Sequence, residues 1–368
     1  MKQIRTARPE DQAQFRALWN ISFSDTDRFR DWFFAHRFVP AYSYVIEEDG
    51  RVVSAVQSIP VHLLVRGRIV PSSIMVGACT HPEYKRRGYM KELYTFYMRQ
   101  VRKKGILLAA HTPAVLGTYF YVGHYPVSDT AFLEGTAEGV LPTQACEVDL
   151  KKDVSDLYVC YAGISRSYSG MVSRSYADMV LKMQDYAADG GQAVAYWVDG
   201  QVAGYAVYYD TPEEVYAEEV LAQTDNVRQE VVHALWNRAA GKKVKVKLPP
   251  DVSCHLPGAK RTVGPRNVAG VADVAALLRI LDVPTAYTIG VKDAVVEEND
   301  GIFAFDGSRS SQTPVFWAEQ GHVLQFLMGY RSLAQLAEEG HAQILDAQGV
   351  QELDRLLPTV PCFIIDEY

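Results

Sequence analysis

The segment Lys85-Arg86-Arg87-Gly88-Tyr89-Met90 stands between a β-rich run, Ser72–Cys79, and a stretch from Tyr89 to Lys103 with Leu93, Tyr97 and Val101 at helical spacing. A glycine at a helix start lets an anion approach the first-turn N–H groups, and the helix dipole reinforces the attraction. Arg86 and Arg87 add positive charge, so the chemistry this segment could perform is the seating of a diphosphate. Taken alone it also reads as an exposed basic turn capped by glycine. A second feature follows further along the chain, Tyr119-Phe120-Tyr121-Val122-Gly123-His124-Tyr125.

Ahead of these residues, a short strand leads to a helix that starts at Pro9-Glu10-Asp11 and carries Phe15, Leu18 and Trp19 on one face. A second helix is expected at Arg28–His36. Tyr44–Ile46 and Val52–Ile59 flank the Asp49-Gly50 turn as a hairpin. Two further strands, at His62–Val65 and Ser72–Cys79, complete an antiparallel meander. Ile106–Ala110 is the strand after the Tyr89–Lys103 helix.

The pattern then recurs. Gln192–Tyr209 repeats the strand, Asp-Gly turn and strand of Tyr42–Ile59, followed by a strand at Val215–Leu221, a helix at Val227–Ala239 and a strand at Lys243–Leu248. Between strand and helix this copy has Ala222-Gln223-Thr224-Asp225-Asn226, without glycine and with an acid where a phosphate would sit. It reads as a structural duplicate without cofactor. From about Pro265 the pattern changes to a helix at Val271–Leu281, strands flanking Asn299–Gly301 and a helix after Gly329-Tyr330-Arg331. The apolar ending Pro361-Cys362-Phe363-Ile364-Ile365 carries the tail into structure.

Composition bounds the function. At 368 residues with 48% hydrophobic and 22% charged side chains, the chain is a folded protein of more than one domain. A net charge of −7 disfavours nucleic acid as partner and favours cationic substrates. Five scattered cysteines, Cys79, Cys146, Cys160, Cys254 and Cys362, form neither a disulfide framework nor a metal ligand set, and a reducing cytoplasm is expected. The sequence has neither a membrane-length apolar run nor a signal-peptide core, so no membrane partner is expected.

The basic glycine loop and the Tyr119–Tyr125 segment together resemble the two signature segments of the GCN5-related N-acetyltransferase superfamily. Met90 departs from the Gly or Ala found at the last loop position, yet still offers its N–H. The stretches LWNISF, KRRG, TYFYVGHYP, VADVAALL, FLMGYRSLAQLAEEG and DRLLPTVPCFIIDEY resemble a narrower branch, the enhanced-intracellular-survival type acetyltransferases. The resemblance implies an α/β (α+β) architecture: an active acetyltransferase domain over 1–140, a degenerate second copy over 141–264, and a smaller sterol-carrier-like α+β domain over 265–368. It implies acetyl-CoA as donor, no metal, and a small-molecule (aminoglycoside-like) or lysine amine as acceptor. It leaves a homo-oligomer open. Ala78, Cys79, Thr80, Lys85, Arg86, Arg87, Gly88, Tyr89 and Met90 are the candidate cofactor-binding residues.

Direct attack of a primary amine on a thioester needs a proton removed from the amine and one supplied to the thiolate. Ser72–Cys79 contains no carboxylate to serve as base. The resemblance assigns that place to the chain's terminal carboxylate, here on Tyr368, as base or amine anchor, with Asp366 or Glu367 as alternatives. It assigns the acid to Tyr119. His81 and His111 flank the site and read as hydrogen-bonded structural groups. Cys79 lacks the partners of a nucleophile. Trp32, Phe33, Phe34 and Phe38 suit either a substrate wall or the core, and Asp25, Asp27 and Glu48 either attract amines or lie on solvated surface. A lipid-binding protein and a catalytically silent interaction protein are the competing readings.

Overall fold

The computed structural model describes residues 1–367. The chain opens with β1 (Lys2–Thr6), α1 (Gln12–Asn20), α2 (Asp27–His36), β2 (Ser43–Glu48), β3 (Arg51–Val65), β4 (Arg68–Thr80), α3 (Tyr89–Lys103) and β5 (Leu108–His111). Next come β6 (Tyr125–Thr136), β7 (Cys146–Val148), α4 (Val154–Ser165), α5 (Tyr176–Ala188), β8 (Gln192–Val198), β9 (Gln201–Asp210), β10 (Glu214–Ala222), α6 (Asp225–Ala239) and β11 (Lys243–Leu248). The remainder is β12 (Lys260–Val271), α7 (Val274–Leu281), β13 (Thr288–Lys292), β14 (Gly301–Ala304), β15 (Phe316–Glu319), α8 (Gln320–Met328), α9 (Leu333–Glu338), β16 (Ala342–Ile344) and α10 (Ala347–Leu356).

The class is mixed α/β, as expected. The two repeated strand sets join edge to edge in one 12-stranded sheet of order β1-β2-β3-β4-β5-β12-β6-β11-β10-β9-β8-β7, beside a four-stranded sheet β14-β13-β15-β16. The joint is an exchange. β6, which follows the first set, pairs with β11 of the second, and β12, which follows the second set, pairs with β5 of the first. Among the described residues no helix is long and apolar enough to cross a membrane.

Local chemistry explains where sequence expectation and structure differ. The strands expected at 52–59 and 62–65 are one strand, β3, running through Pro60. The β2 ladder ends at Gln57, so a proline beyond it breaks no pairing on that side, while Pro60 faces Ser73 on β4. The helix expected from Val271 starts at Val274, because Asp273 caps it by accepting the Ala276 N–H at 2.9 Å, and Val271 itself closes β12. Of the strands expected around Asn299–Gly301 only β14 forms there. Its partner is β13, and Glu297–Asn299 is a short 3-10 turn.

The large sheet has helices on both faces. α3 lays Tyr89, Leu93, Tyr94, Tyr97, Met98 and Val101 on one face of the first strand set. On the other face, Phe15, Trp19, Phe33 and Phe34 of α1 and α2 share a core with α7 and α8. Arg66, at the β3–β4 turn, ties in the last part of the chain by donating to the carbonyls of Phe326, Leu327, Leu357 and Pro358 at 2.6–3.1 Å.

Candidate active site

β4 and β5 run parallel from Ser72↔Leu108 to Ile74↔Ala110, and then part. β4 continues six residues to Thr80, so its β5-facing peptide groups beyond Ile74 have no strand partner among the described residues. A bulge sits in the same stretch: Ala55 faces Cys79 and Gln57 faces Val76, setting Gly77 and Ala78 against one residue of β3. Gly77 has φ +61°, and a Cβ there would lie 2.4 Å from the Trp19 ring, so glycine is required at this point. Parted strands with free peptide groups form a slot that an extended amide-bearing chain can enter by strand-like hydrogen bonding.

The slot opens on the basic loop. Pro82–Tyr84 makes one 3-10 turn, Arg86 takes a left-handed φ of 63°, and Gly88 takes φ 79° as the residue before α3. No side chain caps that helix start, and a Cβ on Gly88 would meet nothing within 4 Å. Lys85, Arg86, Arg87 and Gly88 are exposed, Tyr89 is buried and Met90 half-buried. The first-turn N–H groups thus face open space beside Arg86 and Arg87, the latter laid over the Tyr84 ring and donating to the Glu83 carbonyl at 3.0 Å, and such a helix start fits a diphosphate. At the equivalent turn before α6, Thr224 caps the helix through the Val227 N–H and Asp225 pairs with Arg228. The same seat is filled there by the chain's own groups.

Cys79 is buried, with its thiol pushed up to about 12 by burial, which leaves it without thiolate character. Any part it has in the slot is through its backbone. Ala78 and Thr80 are half-buried at the same strand end.

Tyr119 sits in the 3-10 segment Leu116–Val122, 8% exposed, with its ring edge-on to His111 at 4.3 Å and near Tyr94 at 5.7 Å. Burial raises its pKa, so the phenol keeps its proton. Its segment is held from behind. Gln320, the first residue of α8, donates to the Gly123 carbonyl at 2.8 Å and accepts the Val271 N–H at 2.6 Å. Gly270 lets β12 pass directly over the buried His124 ring, which meets the Tyr94 hydroxyl.

His111, read from sequence as a hydrogen-bonded structural group, is otherwise placed. It is 4% exposed, and among the described residues neither ring nitrogen has a hydrogen-bond partner. Burial pushes its pKa down to about 3, which makes it a neutral imidazole with an open acceptor beside Tyr119. No sequence signal distinguishes it from other histidines. His81, by contrast, is structural: its ring meets Arg51 at 2.7 Å and the Glu83 N–H at 3.4 Å. Phe33 and Phe34 are core, and Trp32 stacks on His36. Asp27 pairs with Arg30, and Glu48 accepts from the Tyr89 hydroxyl.

Beyond His111, Thr112 lines a cavity of about 260 Å³ with Asp25, Asp185, Asp189, Glu218 and Glu367. Against these five carboxylates the lining holds one cation, Lys182. Burial raises the Asp189 carboxyl, and the carboxylates of Asp25 and Asp185 raise it further against a Thr26 hydrogen bond. Asp185 is 3% exposed, with Oδ2 on Lys182 at 3.2 Å and Oδ1 buried without a hydrogen-bond partner among the described residues. Glu218 and Glu367 are paired from outside the lining by Lys247 and Arg266, so the charge that favours an incoming cation is that of Asp25, Asp185 and Asp189. Glu367 reaches it from the tail. Tyr368, expected as base, lies outside the described residues. Among the described residues, no group of three or more His, Cys, Asp or Glu side chains is placed to hold a metal.

Residues 3–126 match the family model described as an acetyltransferase (GNAT) domain. No curated protein matches the sequence. Solved structures match over 100% of both chains: a probable N-acyltransferase of unknown function from Enterococcus faecalis V583 (17% identity, TM-score 0.83), a GCN5-related N-acetyltransferase from Anabaena variabilis (14%, 0.82) and Eis1 from Mycobacterium abscessus (15%, 0.77). At these identities the likeness is one of fold. It extends past the matched domain to the whole chain. Residues 3–126 thus form an acetyltransferase domain of the GNAT type, an enzyme domain whose acyl donor is acetyl-CoA.

Proposed function

We propose that this chain transfers an acetyl group from acetyl-CoA to a primary amine on a cationic acceptor, either a small aminoglycoside-like molecule or a lysine side chain. The reading takes 1–140 as the active acetyltransferase part, 141–264 as its degenerate copy and 265–368 as a sterol-carrier-like part, in a cytoplasmic protein. The observation that supports it is the order of groups at the end of β5: the strand parts from β4 after Ala110, His111 holds its ring against Tyr119, and Thr112 lines the carboxylate-rich cavity. Donor and acceptor approach it from opposite ends.

In the reaction the amine nitrogen attacks the thioester carbonyl, a C–N bond forms, and the C–S bond breaks. An acceptor arriving as an ammonium must shed a proton before attack. The carboxylates hold the cation, and the terminal carboxylate of Tyr368 serves as base or amine anchor. A carboxylate of ordinary pKa, about 3.5, is a weak base for an ammonium near about 10.4, so a relay is required. Neutral His111, with an open ring nitrogen, suits a relay. Tyr119 gives its proton to the departing thiolate and recovers one from the amine side, leaving free thiol and amide.

The test is thiol release from acetyl-CoA with a panel of amines graded by charge. Release that rises with the number of amino groups supports the reading. Release with neutral-bodied amines alone, or none with any amine, overturns it.

A further inference from the structure

The strands β10 and β11 repeat the geometry of β4 and β5: they run parallel from Glu214↔Lys243 to Ala217↔Val246, with a bulge just beyond Ala217. In the first strand set, the residues past the parting lead into the slot. In the second, Glu218, Glu219 and Lys247 occupy the corresponding place, and Glu219 and Lys247 are fully buried. Lys247 reaches the tail of the chain directly, and Glu219 reaches it through Arg174, which it shares with Asp366.

That tail is held at every step. Ser169 exchanges backbone hydrogen bonds with Pro361 and Phe363, both at 2.9 Å, and Phe363, Ile364 and Ile365 are buried. Arg174 grips Glu219 through two nitrogens at 2.8 and 2.9 Å and Asp366 at 3.0 Å. Lys247 donates to the Ile365 carbonyl at 3.2 Å and to Glu367 at 2.6 Å, while Arg266 binds both Glu367 oxygens at 2.7 Å. Lys182 donates to the Glu367 carbonyl oxygen at 2.9 Å.

Buried ion pairs of this kind are a poor way to gain stability, since apolar side chains of similar volume commonly do as well. What they fix is geometry. Arg266 also precedes Asn267, whose side chain donates to Thr112 at 2.7 Å, the residue after His111. Arg266, one of the cations that hold the tail, is therefore next to a residue bonded to the end of β5.

We propose that the second strand set acts as a clamp that sets the end of the chain at the active site of the first, with Lys247 and Arg266 as positioning residues for the reaction. This rests on the acetyltransferase reading above. It gives the second copy a role in place of the cofactor seat it lacks: its strand parting takes the tail.

The test uses the full chain carrying Arg266→Gln, and separately Arg266→Lys. Arg266 is partly exposed, so its loss leaves the core intact. The expected result for Arg266→Gln is a fall in kcat of about 10- to 100-fold, an unchanged Kd for acetyl-CoA, and an altered acid limb of the pH–rate profile. Arg266→Lys recovers most of the rate. A variant with the parent's kcat and pH profile overturns the clamp while leaving the acetyltransferase reading intact. Parent protein that releases no thiol with any amine overturns both. Should Arg266→Gln fold poorly, Glu367→Gln removes the same contact from the tail side and must show the same split between kcat and Kd.

Discussion

Arg266 meets Glu367 across both carboxylate oxygens at 2.7 Å, joining a strand of the sheet's middle to a residue near the end of the chain. Burial alone would raise the Glu367 carboxyl, but Lys247 and then Arg266 outweigh it and hold it down at about 2, against an ordinary 4.5. A carboxyl depressed in the folded state contributes stability that is fully present above about pH 4.5 and is lost as pH falls towards about 2. Glu367→Gln is therefore expected to lower stability at pH 7 by on the order of 2 kcal/mol. The gap to the parent should close as pH falls through that window. Urea denaturation at pH 7 and pH 3 measures both; a gap that is equal at the two values would contradict the assignment.

Tyr119→Phe removes the proton donor and keeps the ring that packs on His111 and Tyr94. The expected outcome is a loss of about 100-fold in kcat with the acetyl-CoA Kd essentially unchanged. Steady-state kinetics paired with calorimetry checks it, and an unchanged rate would exclude Tyr119 as the acid.

Gly88→Asp sets a carboxylate and a side chain at the uncapped start of α3, where φ is 79°. Acetyl-CoA binding should weaken at least about tenfold, because the helix start then faces an anion of the chain's own. Calorimetry of the parent should give one site per chain, since the start of α6 is closed by Thr224 and Asp225. Two sites would show that the second seat is open.

Gly77→Ala adds a Cβ 2.4 Å from the Trp19 ring at a left-handed φ. Strain and overpacking together should cost about 2–4 kcal/mol. A denaturation midpoint close to the parent's would mean that Trp19 can move aside, and with it the wall of the slot.

Much of this was legible in the sequence because it is local. The loop Lys85–Met90 carries its glycine, its charges and its helix start within a few residues, and α3 follows from apolar spacing alone. β12 was not legible. Its sequence KRTVGPRNVAGV is broken by Gly264 and Pro265, and its register against β6 slips on either side of Asn267. Its place between β5 and β6 is a matter of pairing between residues far apart in the chain, which periodicity does not encode. The clamp is hidden for the same reason: Arg174, Lys247 and Arg266 are ordinary basic residues until Asp366 and Glu367 arrive beside them. His111 gains its meaning only from the lack, among the described residues, of a hydrogen-bond partner for its ring nitrogens.

The exchange of β6 and β12 sets a schedule for the molecule. During synthesis β5 is made early and can pair with β4, yet its second neighbour in the sheet, β12, is not available until residue 271 has left the ribosome, and the tail that reaches the acidic cavity comes roughly a hundred residues later. The nascent first part can collapse around α3 but has an open edge at β5 until then. On the reading proposed above, the site is complete only once Glu367 has been added, so a chain cut short before the tail is expected to release no thiol from acetyl-CoA.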